Sequence, residues 1–174
     1  MLQVLFTESQ IFASDWKIWL IILFVMLIVG RKLVMFAKRP SSVGWGYKAA
    51  AILGIALPVV LVLGFMAMSL TTIIDAEGIS FGFSWVGKTS NRILWRDVEK
   101  VYVRQYKPLD EYGGWGWRDG ERPGEGAYNV KGDMGLQLIY KGHKRLLIGT
   151  QQPEKLKTIV DSLNKSGIIH SVAN

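Results

Sequence analysis

The sequence predicts a membrane α-helical hairpin joined to an α+β domain, a curved antiparallel sheet or open barrel capped by a C-terminal helix. Three observations carry that expectation. Residues 49–74 contain no ionisable side chain, and at about 1.5 Å of rise per residue roughly 20 apolar residues cross a ~30 Å hydrocarbon core. A second apolar run lies upstream at 18–30. From Thr71 onward the pattern changes to short alternating runs broken by turns, closed by one amphipathic helix.

The first span is expected over about 16–37. The run IWLIILFVMLIVG is too short to cross alone, but Lys17, Arg31 and Lys32 can snorkel from the helix ends. Trp16 and Trp19 suit an interfacial belt. A signal peptide is the rival reading. Glu8 and Asp15 before the run, and the lack of a small-residue cleavage motif after it, favour an uncleaved span. The second span is expected over about 49–70. It contains Pro58, which a membrane helix tolerates when a neighbour or water satisfies the freed carbonyl. Residues 1–70 thus form an N-terminal segment and two-helix hairpin, and residues 71–174 a separate domain.

Charge is unevenly spread. Arg31, Lys32, Lys38, Arg39 and Lys48 give the region between the apolar runs +5 with no acid, whereas from Asp75 onward 15 Lys/Arg face 12 Asp/Glu. A basic excess placed where anionic head groups lie speaks for the lipid bilayer as partner and against nucleic acid. The positive-inside rule puts the linker in the cytoplasm and the termini, with the domain, outside it. A linker seated on anionic lipid of the outer leaflet would reverse that. The chain has no cysteine, which excludes disulfides, thiolate metal sites and cysteine nucleophiles.

In the domain, TTIID at 71–75 is β-branched and DAEG at 75–78 reads as a turn. Ile79, Phe81, Phe83 and Trp85 alternate with small residues in the period of a half-buried strand. GKTSN supplies the next turn, and strands follow at 93–95, 101–106, 136–140 and 145–148. KGHK at 141–144 makes a hairpin turn. Pro153 suits a helix start, Leu156, Ile159, Val160 and Leu163 form an apolar stripe, and Gly167 is a stop. Six or seven strands in meander order with one helix imply the capped sheet.

The most unusual segment is EYGGWGWR, residues 111–118. Gly113, Gly114 and Gly116 permit close approach of a ligand or another strand. Tyr112, Trp115 and Trp117 offer large amphipathic surfaces beside the fixed cation of Arg118, a set that can hold a lipid head group, a sugar face or a peptide. Alternatively the glycines make a bulge or bend and the tryptophans fill the core or touch the interface. The spacing fits neither GxGxxG nor GxxxxGK[ST]. DGERPGEG at 119–126 reads as an exposed loop. If the YNVKG strand after it pairs back to 111–118, Tyr128 and Asn129 join the candidate set, Asn129 as a ligand donor or as a turn-stabilising side chain.

No catalytic constellation is visible. His143 falls in a predicted turn and His170 in the tail, while Asp110 and Glu111, if extended, point to opposite faces. No catalytic residue, metal site or cofactor is therefore expected, and an enzyme is not the reading.

The meander, ILWRDVEKVYV and the helix after LLIGTQQPEKL give the C-terminal part a resemblance to bacterial pleckstrin-homology-like domains. FTESQ, the two spans, EYGGWGWR, AYNVKGDMGLQL and LLIGTQ together resemble an uncharacterised family of small prokaryotic two-span membrane proteins carrying such a domain. The resemblance implies an integral protein of the prokaryotic cell membrane and this architecture, and no activity. A phosphoinositide pocket is not implied, because Lys88, Arg92 and Lys100 are scattered. The function expected is a membrane-anchored, non-enzymatic binding or assembly module with a membrane-protein partner or self-association. The second reading is an accessory subunit of a larger membrane complex, with Ala50 and Gly54 as a small-residue packing pair. A membrane enzyme is a distant third.

Overall fold

The computed structural model describes residues 4–12, 16–38, 44–120 and 125–169. Asp15, Arg39, His170 and the centre of the DGERPGEG loop lie outside these residues, as do the side chains of Trp16 and Lys17. The chain divides into two compact units, Phe12–Met68 and the combination of Met1–Ile11 with Ser69–Asn174.

The first unit is a pair of long helices, α1 (Trp16–Ala37) and α2 (Trp45–Ala67), both long and apolar enough to cross a membrane. They run antiparallel, since Ile21 and Ile22 near the start of α1 share a small apolar groove with Leu61, Val62, Phe65 and Met66 near the end of α2. The helix α2 begins four residues before the expected span and ends three before its expected end. Residues 69–70 belong to a strand instead. The uninterrupted apolar run gave no sign of that switch, because a buried strand and a lipid-facing helix use the same residue types.

Pro58 sits inside α2. Lacking an N–H, it leaves the carbonyl four residues earlier, that of Gly54, without its helical partner. Lys32 Nζ of α1 donates to that oxygen at 3.2 Å. In hydrocarbon such an orphan carbonyl must find a partner, so this contact ties proline and lysine into one feature. Lys32→Met is expected to destabilise the hairpin. The loss should shrink in a Pro58→Ala background, where the restored backbone N–H takes over the Gly54 carbonyl. The coupling should fall at about 0.5–2 kcal/mol, the range of interhelical hydrogen bonds in membranes, read from a double-mutant cycle of unfolding in mixed micelles. Zero coupling would mean that the contact does not hold the helices.

The second unit contains two sheets and a closing helix. The strands β1 (Val4–Ile11), β2 (Ser69–Asp75), β3 (Gly78–Ser84) and β4 (Asn91–Leu94) form a four-stranded antiparallel sheet in chain order. A short 3-10 turn, Trp95–Asp97, leads into β5 (Val98–Gln105). After it come α3 (Pro108–Tyr112), β6 (Gly116–Asp119), β7 (Glu125–Asn129), β8 (Met134–Tyr140), β9 (Lys144–Gly149) and α4 (Pro153–Lys165). The second sheet has the order β5-β8-β9-β7-β6.

Three expectations change here. The first 11 residues do not belong with the helices, because β1 pairs along β2 from Ile11↔Ser69 to Val4↔Asp75. The helical hairpin is thus inserted between two neighbouring strands. The meander is also broken: β7 lies parallel to β9, with Glu125 opposite Arg145 and Tyr128 opposite Ile148. The β6–β7 hairpin therefore adds to the far edge of the sheet instead of following β5. The described strands number nine, against six or seven expected. The coarse class, α+β with a C-terminal helix, stands.

The core lies between the sheets and α4. Phe6, Ile74, Ile79, Val101, Leu136 and Leu138 are buried in it with Leu156, Val160 and Leu163 of α4, and Ile159 packs at its margin. The stripe anticipated for α4 is thus its buried face. Trp95 closes one side, its indole N–H donating to the Asp75 carbonyl at 2.9 Å. The strand β1 turns Phe6, Glu8 and Gln10 inward. Glu8, only 5% exposed, accepts from Thr150 Oγ1 and the Gln151 N–H, both at 2.7 Å. Gln10 Nε2 donates to the Gly149 carbonyl at 2.7 Å. These bonds stitch the chain's beginning to the junction of β9 and α4.

Candidate functional site

The EYGGWGWR segment starts as a helix, not a strand. Pro108 stands in the first turn of α3, and Glu111 accepts the Lys107 N–H at 2.8 Å through Oε1, closing the turn. Gly113 then takes a left-handed conformation at φ 66° and ends the helix, with its N–H returning to the Leu109 carbonyl. Gly114 and Gly116 also have positive φ, so the three glycines together swing the chain from α3 into β6. Their geometry serves the bend.

Strand β6 pairs antiparallel with β7: Gly116 faces Asn129, Trp117 faces Tyr128 and Arg118 faces Ala127. The conditional pairing of the YNVKG strand with this segment is therefore present. Asn129 is fully buried and its Oδ1 accepts the Gly116 N–H at 2.8 Å, which fixes the start of β6. Its side chain acts within the fold and does not face solvent. Tyr112 is likewise buried, packed edge-on against Tyr106 over Ala127 and Leu147. Burial pushes the Tyr106 hydroxyl up to about 12, with the neighbouring Asn129 amide acting in the opposite sense.

Trp115 and Trp117 do not share a strand face, because the extended backbone begins only at Gly116. The Trp115 indole N–H donates to the Gly132 carbonyl at 3.1 Å, and its ring lines an open cleft. Trp117 is 68% exposed and stacks on Tyr128 at 6.3 Å between ring centroids. Tyr128 in turn stacks on Phe83 of the other sheet at 6.0 Å and meets Phe81 edge-on. A row of rings thus runs from a buried Phe81 outward to Trp117. The exposed Arg118 donates through Nε to the Trp115 carbonyl at 3.1 Å.

The cleft beside Trp115 has a volume of ≈ 640 Å³ and is walled by Tyr106, Pro108 and Leu109, with Lys107, Asp110, Glu111 and Asp133 at its rim. Leu109 is 65% exposed. Arg104 supports the helix wall: it pairs with Glu111 at 2.6 Å and donates through Nε to Gln137 Oε1 at 3.0 Å. The Arg104 hydrogen bond holds the Glu111 carboxyl below the ordinary range, against the opposing effect of burial. Sequence reasoning passed over Arg104, Leu109 and Asp133. A signal for α3 did exist, since proline followed by acidic residues marks a helix start.

His143 lies in the β8–β9 turn and contacts Glu99 through Nδ1 at 3.1 Å. It is remote in sequence from the cleft wall and does not line it. The chain matches no family model, no curated protein and no solved structure.

Proposed function

We propose that this protein is a membrane-anchored, non-enzymatic binding or assembly module. Its two spans sit in the prokaryotic cell membrane, and its pleckstrin-homology-like domain meets a membrane-protein partner or a second copy through the α3–β6 surface. One observation carries the reading: Trp117, a large indole, is 68% exposed on the edge strand β6, stacked on Tyr128. Aromatic side chains are enriched where partners bind, and an edge strand offers unpaired backbone groups to a neighbour. The buried members of the candidate set, Tyr112 and Asn129, build this surface from below. Trp117 presents its exposed ring on one face of β6, and Arg118, bonded to the Trp115 carbonyl, lies towards the other.

Trp117→Ala is the direct test, since its ring stacks on Tyr128 without filling the core. Melting should stay within a few degrees of the parent, while partners recovered by cross-linking in cells fall at least several-fold. Equal recovery from both proteins would end the proposal. Tyr112→Ala should behave in the opposite way, losing stability first.

In this reading the domain lies outside the cytoplasm. The support is the acid-free basic linker together with the chain path: α1 follows β1 and α2 precedes β2, and Ile11 pairs with Ser69. Both outer ends of the hairpin thus lead to one strand pair. Single cysteines at Ser42 (outside the described residues) and at Lys141 can be probed in intact cells with an impermeant maleimide. Labelling at Lys141 alone is expected; labelling at Ser42 alone would place the domain in the cytoplasm.

A further inference from the structure

The β3–β4 turn supplies a feature that the α3–β6 surface does not use. Trp85 and Val86 at its tip are 70% and 74% exposed. The turn is held in shape, because the Lys88 N–H donates to Ser84 Oγ at 2.8 Å. Residues 78–96 contain no carboxylate, and Lys88 lies two residues from Val86. An indole, an aliphatic side chain and a cation with no acid in the flanking sequence is the composition of an interfacial anchor.

Register decides where this tip is. Ser84, the last residue of β3, pairs with Ser69, the first of β2, and Ser69 follows Ala67, the end of α2, by two residues. Two residues of chain, one cross-strand pair and one further residue add to a separation of about 17 Å at most between the Ala67 and Trp85 Cα atoms. This bound holds whatever the angle between the units. The head-group layer on each side of a bilayer is about 5–8 Å thick. A tip tethered that closely to the end of a span can reach it.

We propose that residues 85–88 form a membrane-docking tip, with Trp85 and Val86 entering the interfacial layer of the leaflet that α2 exits and Lys88 facing lipid phosphates. The proposal rests on the membrane-anchored reading above. Its occupant is the phospholipid surface, and its consequence is a domain held against the bilayer at a second point besides the spans.

The cysteine-free chain allows a direct test with the full protein in phosphatidylcholine/phosphatidylglycerol vesicles. Val86→Cys, Lys141→Cys and Leu61→Cys are each labelled with the environment-sensitive nitrobenzoxadiazole dye. The Val86 probe should be quenched by lipids carrying a spin label near the head group at least twofold more than the Lys141 probe. It should also be shielded from aqueous iodide, and Trp85→Ser should weaken both effects. The Leu61 probe, within α2, should respond to a spin label deep in the acyl chain. Iodide quenching at Val86 equal to that at Lys141, with Leu61 still quenched from the acyl chain, would overturn the docking tip and leave the anchor standing. Shielding of Val86 from iodide and lipid quenchers alike would also overturn it, because protein would then cover the tip. Loss of the Leu61 response would remove the anchor and the tip together.

Discussion

Replacing residues 12–68 with Asn-Gly should yield a soluble domain that folds cooperatively, whereas residues 71–174 alone should not. Ile11 and Ser69 are paired partners, so a two-residue type I′ turn can join them directly. The shorter fragment lacks all of β1 and the first two residues of β2. It thereby loses Phe6, 2% exposed, and Leu70, fully buried. It also loses the Glu8 carboxylate that Thr150 and Gln151 donate to. Truncating one buried Phe or Leu costs about 2–5 kcal/mol, while a whole domain has about 5–15 kcal/mol of stability. Removing both, with a buried acceptor, consumes that margin. Circular dichroism and thermal unfolding of the two proteins decide the matter. A cooperative transition in the 71–174 fragment near that of the joined version would show β1 to be dispensable.

The second large effect is expected at the other end of the chain. Leu163 is 3% exposed and packs with Leu156 and Val160 between α4 and the sheets. Leu163→Ala removes apolar area and leaves a cavity, at about 2–5 kcal/mol. In a domain of this size that lowers the melting temperature by roughly 10 °C or more. Lys157→Ala, on the outer face where Lys157 bonds Glu154, serves as control, since an exposed pair contributes less than about 1 kcal/mol. Equal melting of the two variants would mean that α4 does not bury this face in solution.

The readability of the sequence differed from element to element for physical reasons. The helix α4 was legible because its burial is one-sided, so apolar residues recur at helical spacing. The strands β3, β8 and β9 were legible from alternation or short apolar runs between turns. The strand β1 was not. Its inward row is Phe6, Glu8 and Gln10, and two polar residues erase the alternation, since their partners at Gly149, Thr150 and Gln151 lie about 140 positions away. Within the candidate site, the glycines and tryptophans stood out by composition. Whether each ring or amide faced inward was invisible, because that depends on where α3 ends and which strand β7 joins.

By itself, then, the sequence determined two apolar segments of membrane-crossing length, a polar α+β portion and an amphipathic closing helix, all consequences of local composition and period. Tertiary structure alone decided that the helical hairpin interrupts a strand pair, that β7 runs parallel beside β9, and that Asn129 and Tyr112 are interior while Trp117 is exposed. Those outcomes rest on hydrogen bonds and packing between residues far apart in the chain. No local pattern encodes such pairings, because the free energy that selects them arises only when the distant partners meet.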